Sequence, residues 1–219
     1  EVSTVALEPA TEQEIDDTVT VMGGEDWEYW IDALLAEDLL APNAKTVAYT
    51  YIGSELTWPI YWEGTLGKAK ADLDRASGEI QQKLQSIGGD ARVAVLKAIV
   101  SQASAAIPVV PLYAALLFRV MKEQGSHEEC IEHIERLFTT QLLSGAHMRL
   151  DDSGRIRVDD LELAETVQAE VKRRWPVVDT QNLPELGDLA GFRADFLKIF
   201  GFGIEGVDYD AEVDPQRIS

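Results

Sequence analysis

Two spacings of apolar residues alternate along the chain, and each change of spacing marks an element. Thr46, Val47, Tyr49, Tyr51 and Ile52 form a β-branched and aromatic run that predicts a strand ending at Gly53. From Leu66 the spacing turns helical, with Leu66, Ala69, Leu73, Ala76 and Ile80 at offsets of three and four and Thr65 as N-cap. Between the two, Gly53, Pro59 and Gly64 accompany Trp58, Tyr61 and Trp62, which predicts a loop. Gly88 and Gly89 close the helix, and the almost wholly apolar run 91–100 predicts a strand buried on both faces, as in parallel sheets. Strand, long helical crossover and strand make a right-handed βαβ unit. Its crevice at the carboxyl end of the strands is where open α/β sheets bind ligands.

Helices are predicted on both sides of this unit. Thr11 and Glu14 form a capping box before a short helix that Gly23 and Gly24 stop. Trp27, Trp30, Ile31, Leu34, Leu35 and Leu39 mark one face of a second helix ending near Pro42. After the second strand, Pro108 and Pro111 precede an apolar helix through Leu112, Ala115, Leu116 and Val120, closed by Gly125. Ser126 with Glu129 predicts a further capping box, for a helix turning Ile131, Ile134, Leu137, Phe138 and Leu142 inward. A short strand at 155–158 leads to Asp159 or Asp160 as cap of a helix stopped by Pro176. A last helix buries Leu189, Phe192, Phe196, Ile199 and Phe200 before Gly201. Two firm strands are too few to close an α/β sheet, so a partner segment or chain is expected to supply the others.

Composition narrows the choice of partners. The 219 residues include no apolar run of about eighteen, so no membrane span is expected. A formal net charge of −20 argues against nucleic acid and anionic membrane surfaces, which need a basic footprint. Cys130 stands alone, which excludes an internal disulfide and fits a reducing compartment. The opening EVSTVALEPATEQE lacks both an initiator methionine and the basic-then-apolar order of a signal peptide, so the chain is expected to be a piece of something longer.

Several chemical motifs fail on spacing or context. GFGIEG places Gly201, Gly203 and Gly206 as a dinucleotide fingerprint would, but it follows a helix and runs into VDYDAEVD. His127, Glu128 and His133 resemble a zinc helix, whose second histidine belongs where Ile131 is; helix capping and contact of polar side chains with water are expected to explain them. DDSGRIRVDD lacks the ordered acids of a calcium loop. Cys130, within a helix and without a visible base, is expected to pack rather than react. No metal site is predicted.

A tyrosine and lysine set survives this sieve. A phenol with a free pKa near 10 becomes a useful acid when a nearby ammonium stabilises its anion. None of the six tyrosines has lysine four residues later, the spacing that puts both on one helix face. Tyr61 and Lys70 converge only if Tyr61 lies in the loop before the helix. The alternative is a packed tyrosine and a solvated lysine.

YTYIGSELTWPIYWEGTLGKAK closely resembles the active-site segment of the trans-2-enoyl-CoA reductases and single-chain enoyl-acyl-carrier-protein reductases, marked by tyrosine, eight residues, lysine. The resemblance continues through EPATEQE, VMGGEDWEYWIDALL, SQASAAIPVVPLYAALLFRVMKEQG and LAGFRADFLKIFGFGIEGVDYDAEVD. It implies an α/β fold, the carboxyl-terminal half of a Rossmann-like doubly wound parallel sheet with additional substrate-covering helices. Residues 1–158 would form its catalytic part and 159–219 a helical segment packed on it. The implied chemistry is NADH-dependent reduction of the C2=C3 bond of trans-2-enoyl thioesters, with enoyl-CoA preferred because an acidic carrier protein would meet a negative surface. Tyr61 would bind the thioester oxygen and protonate the product. Lys70 would bind the cofactor ribose and lower the tyrosine pKa, with Tyr51 as the second active-site tyrosine and Ser101 near the nicotinamide amide. Ile107, Val109, Val110 and Leu112 would line the acyl chain. The NADH site would be completed by an amino-terminal half carrying the Gly-rich turn; no flavin is expected. The location would be cytoplasmic, or mitochondrial in a eukaryote. The alternatives are a fragment inactive without that half, and a carbonyl reductase using the same pair.

Overall fold

Parallel pairing of three strands organises the molecule. A computed structural model of the chain describes residues 1–143 and 148–214. Strand β1 (Lys45–Thr50) pairs in parallel with β2 (Asp90–Val95) along its whole length, Lys45 opposite Asp90 and Thr50 opposite Val95. The two-residue β3 (Ile156–Arg157) pairs in parallel with the far side of β2, in the order β1-β2-β3. Among the described residues β1 is therefore paired on one side only.

Helix α1 (Glu12–Met22) starts at the capping box of Thr11 and Glu14, and α2 (Glu25–Ala36) follows it directly. The short α3 (Trp58–Tyr61) and the twenty-residue α4 (Thr65–Leu84) make the crossover from β1 to β2. Beyond β2 come α5 (Gln102–Ala106), α6 (Val110–Glu123) and α7 (Cys130–Leu137), the last running into a π-helical turn at Phe138–Leu142. Helices α8 (Glu165–Arg174), α9 (Leu183–Leu186) and α10 (Leu189–Lys198) complete the described chain.

The apolar run after Gly89 explains the layering. Ala91 packs with Ile31, Ile80 and Leu84 beneath α2 and α4, whereas Ala94 and Leu96 pack on the other face with Leu137, Leu142 and Ile156. A third cluster gathers Ala98, Val100 and the apolar face of α6 with Val167, Val171 and Phe192. Helix α6 is thus buried by the sheet's carboxyl end on one side and by α8 and α10 on the other.

Several boundaries differ from the sequence expectation. Strand β2 stops at Val95; residues 96–100 stay largely buried but leave the ladder. Gly64, not Thr65, occupies the cap of α4. The box at α7 is Glu129 with Glu132 rather than Ser126 with Glu129. Asp159 does not cap α8, because its carboxylate is held by Arg157 at 2.6 Å and the helix begins only at Glu165. On α2, Ile31 is buried but Trp30 is exposed, as is Leu39 beyond the helix. On α10 only Phe192 is buried, and Ile199 and Phe200 are half-exposed past its end.

Candidate active site

Strand β1 ends by delivering Thr50 and Tyr51 to the crevice above the sheet, and Gly53 turns the chain there at φ 74°. A Cβ at Gly53 would collide with the Thr57 and Tyr51 hydroxyls, so the close turn requires glycine. The segment 52–64 is not wholly a loop. With Pro59 in its first turn, α3 forms a single helical turn ended by Tyr61, whose N–H donates to the Thr57 carbonyl at 3.0 Å. Tyr61 thus projects from a hydrogen-bonded helical turn rather than an irregular loop. Gly67 brings this turn against α4, because a Cβ there would run into the Trp62 carbonyl.

The three predicted residues come together. The Tyr51 and Tyr61 rings meet edge to face, with centroids 4.8 Å apart. Lys70 Nζ stands 5.6 Å from the centre of the Tyr61 ring and donates to Thr50 Oγ1 at 3.1 Å. They line a cavity of about 310 Å³ that also takes in Ser101, Ile107 and Val110. Val109 and Leu112 do not line it. Val109 instead carries a φ of 74°, strained for a β-branched residue, at the junction of α5 and α6. Ser101 caps α5, its hydroxyl accepting from Ser104 N–H at 3.1 Å.

Electrostatics depart from the expectation that Lys70 lowers the phenol pKa. Burial, then the charge of Glu162, pushes Tyr61 up to about 12. Burial brings Lys70 down to about 8, opposed by Asp74 one turn along α4. Tyr61 is therefore a neutral hydrogen-bond donor at neutral pH, and Lys70 faces its ring rather than neutralising a phenolate.

Sequence reasoning missed the groups beneath this cavity. Glu162, fully buried in the turn before α8, accepts from the Tyr51 hydroxyl at 2.8 Å, the Tyr113 hydroxyl at 2.7 Å and the Ala98 N–H at 2.5 Å. Tyr51 therefore does not present a free hydroxyl. Lys97 is also buried, its ammonium donating to the Ala98 carbonyl at 3.2 Å and lying over the Phe118 ring. One signal was available: Tyr113 sits among apolar residues in the first half of α6, where a buried phenol needs a partner.

The remaining motifs resolve structurally. His133 is buried rather than surface-exposed; its Nδ1 contacts Glu128 at 3.1 Å and its Nε2 accepts from the Lys97 N–H at 3.3 Å. Cys130 is exposed at the start of α7 rather than packed. Asp151 Oδ1 ties the 151–155 turn by accepting from Ser153 and Arg155 N–H groups. Gly201, Gly203 and Gly206 lie in exposed turns that lead into no helix among the described residues, so they form no phosphate cradle. No cluster of three or more His, Cys, Asp or Glu that could hold a metal occurs among the described residues. No described helix is long and apolar enough to cross a membrane.

Residues 1–143 match the family model described as the trans-2-enoyl-CoA reductase catalytic region, and 150–213 the one described as the enoyl reductase FAD binding domain. The second name is a family label and not a flavin requirement. An enoyl-[acyl-carrier-protein] reductase [NADH] of Opitutus terrae is 57% identical over 98% of this chain and 54% of its own length. The protein of the same name from Shewanella baltica OS155 is 58% identical over 95% and 53%. A Clostridium acetobutulicum trans-2-enoyl-CoA reductase in complex with NADH superposes with TM-score 0.89 at 48% identity, over 94% of this chain and 52% of that one. The Treponema denticola trans-2-enoyl-CoA reductase in complex with NAD gives 0.87 at 47%, over 94% and 51%. The chain spans about half the length of the curated relatives it matches.

Proposed function

We propose, on the premise that the chain belongs to the trans-2-enoyl-CoA reductase family, that it carries the proton-donating and ribose-binding part of a site reducing the C2=C3 bond of trans-2-enoyl thioesters. The observation that carries this reading is the convergence of Tyr51, Tyr61 and Lys70 on one cavity from β1, α3 and α4. Apolar walls with the lysines Lys70 and Lys97 and the hydroxyls of Thr50 and Ser101 fit the nicotinamide-ribose end of NADH. When bound, NADH supplies the hydride that goes to C3.

The chain's own residues do the rest. Tyr61, buried and protonated, donates to the thioester oxygen as negative charge gathers there, and helps return a proton to C2. Lys70 would hold the ribose hydroxyls and Ser101 the nicotinamide amide. Ile107 and Val110 offer the acyl chain an apolar wall, with Tyr51 closing the cavity beside Tyr61.

The pyrophosphate is assigned to a segment outside these residues, which would also pair with β1. Support comes from the half-length match to the relatives, from the one-sided pairing of β1, and from the lack of a Gly-rich strand-to-helix turn among the described residues. CoA is the proposed carrier, since a net charge of −20 opposes docking of an acidic carrier protein. Bacterial relatives and a single cysteine favour the cytoplasm.

The test is NADH oxidation with crotonyl-CoA and with the crotonyl carrier-protein thioester, on this chain alone and together with the remaining half. Turnover is expected only with both parts and mainly on CoA. Tyr61→Phe should lower kcat by roughly 100-fold or more, and Lys70→Ala should raise the KM for NADH. Undiminished turnover in both variants would overturn the assignment.

A further inference from the structure

Glu162 has no part in the reaction as proposed, yet its surroundings are built around it. Its carboxylate receives three donors, the Tyr51 and Tyr113 hydroxyls on Oε1 and the Ala98 N–H on Oε2. Three donors and no acceptor around one carboxyl group suit the ionised form. Burial raises the Glu162 carboxyl above its usual range, and the Ala98 N–H, the Tyr113 and Tyr51 hydroxyls and, last, the charge of Lys97, buried in the chain segment after β2, oppose that rise. Tyr113 in turn accepts from Gln168 Nε2 at 3.2 Å, so its own proton is directed at Glu162. A carboxylate this deep is tolerated only when so bonded, and one of those bonds fixes the ring that packs edge to face on Tyr61 at 4.8 Å.

We propose that Glu162 is a positioning residue of the reductase site: by holding the Tyr51 and Tyr113 hydroxyls it sets the Tyr51 ring as the wall that orients Tyr61. This rests on the reading of Tyr61 as the proton donor. The Tyr51 proton is committed to Glu162, so Tyr51 shapes the site with its ring and does not donate to substrate. Misplacing a reacting group by about 1 Å costs roughly 100-fold in rate, so loss of this hold is felt in the chemical step more than in binding.

The experiment is a double-mutant cycle with Tyr51→Phe and Glu162→Gln in the complete reductase, with Tyr61→Phe alongside. Each single variant is expected to lose about tenfold or more in kcat with the KM for NADH changed less than about twofold. The double variant should be no more than about twofold worse than the poorer single, because both break one connection. Multiplying effects, a change confined to KM, or full kcat in Glu162→Gln while Tyr61→Phe stays impaired would overturn the positioning role. Full kcat in Tyr61→Phe would instead overturn the reading of the site itself. Should Glu162→Gln not fold, Tyr113→Phe takes its place, since it frees the same carboxylate oxygen; additive losses with Tyr51→Phe would then count against the proposal.

Discussion

Lys70 works at some expense to stability. Its folded pKa of about 8 lies below the ordinary 10.5 because burial penalises the ammonium. The unfolded chain therefore binds the proton more tightly, and stability from this group rises as pH climbs from about 8 to about 10.5. Below that window the penalty is full, on the order of 3 kcal/mol. Lys70→Met, which keeps most of the stem, is expected to raise Tm by several degrees at pH 7 and by nothing near pH 10.5. Thermal melts of both proteins across that range decide it, and equal Tm values at pH 7 would sink the idea. Tyr61 and Lys70 were legible because a nine-residue offset demanded a turn between them, and the resemblance said which offset to trust. Glu162 was not legible: DDLELAE carries no local mark of a buried carboxylate, since its partners Tyr51 and Tyr113 are contributed by distant elements. Nor did spacing foretell that burial would hold the Tyr61 proton in place.

At the level of elements, α3 and α4 meet at Gly67, where there is no room for a side chain against the Trp62 carbonyl. Gly67→Ala is expected to push the two apart, costing about 1–3 kcal/mol as overpacking does, despite alanine's better helix propensity. Because Tyr61 ends α3, the same variant should lower kcat. A chemical-denaturation curve with the wild-type midpoint would contradict this. The helix periods of α4 and α6 were plain in the sequence, as was the two-sided burial of β2. Helix starts were less so: Ser126 with Glu129 fits the Ser/Thr-x-x-Glu pattern of a capping box, whereas the cap of α7 is Glu129 with Glu132, a pair outside that pattern. The single turn of α3 escaped notice because proline reads as a breaker unless the residues before it already begin a helix.

Across the whole molecule, side chains on either side of β3 reach back to hold the site. Arg155 forms a bidentate pair with Asp74 of α4 at 2.6 to 3.1 Å and lies over the Trp62 ring. Glu162 does the same for Tyr51. The parallel pairing of β1 with β2 followed from pattern alone; the dependence of the early segment on the late one did not, since ion pairs between distant residues leave no periodicity. The one-sided pairing of β1 has a measurable consequence in time. Successive N–H groups along a strand point to opposite sides, so in the isolated chain its amides are expected to divide in hydrogen–deuterium exchange. Those bonded to β2 should be slow, and those facing outward should approach the rate of unstructured peptide. On the proposal that a further segment pairs with β1, adding that segment should slow the outward set by orders of magnitude and leave the inward set unchanged, so that one strand becomes a clock for assembly.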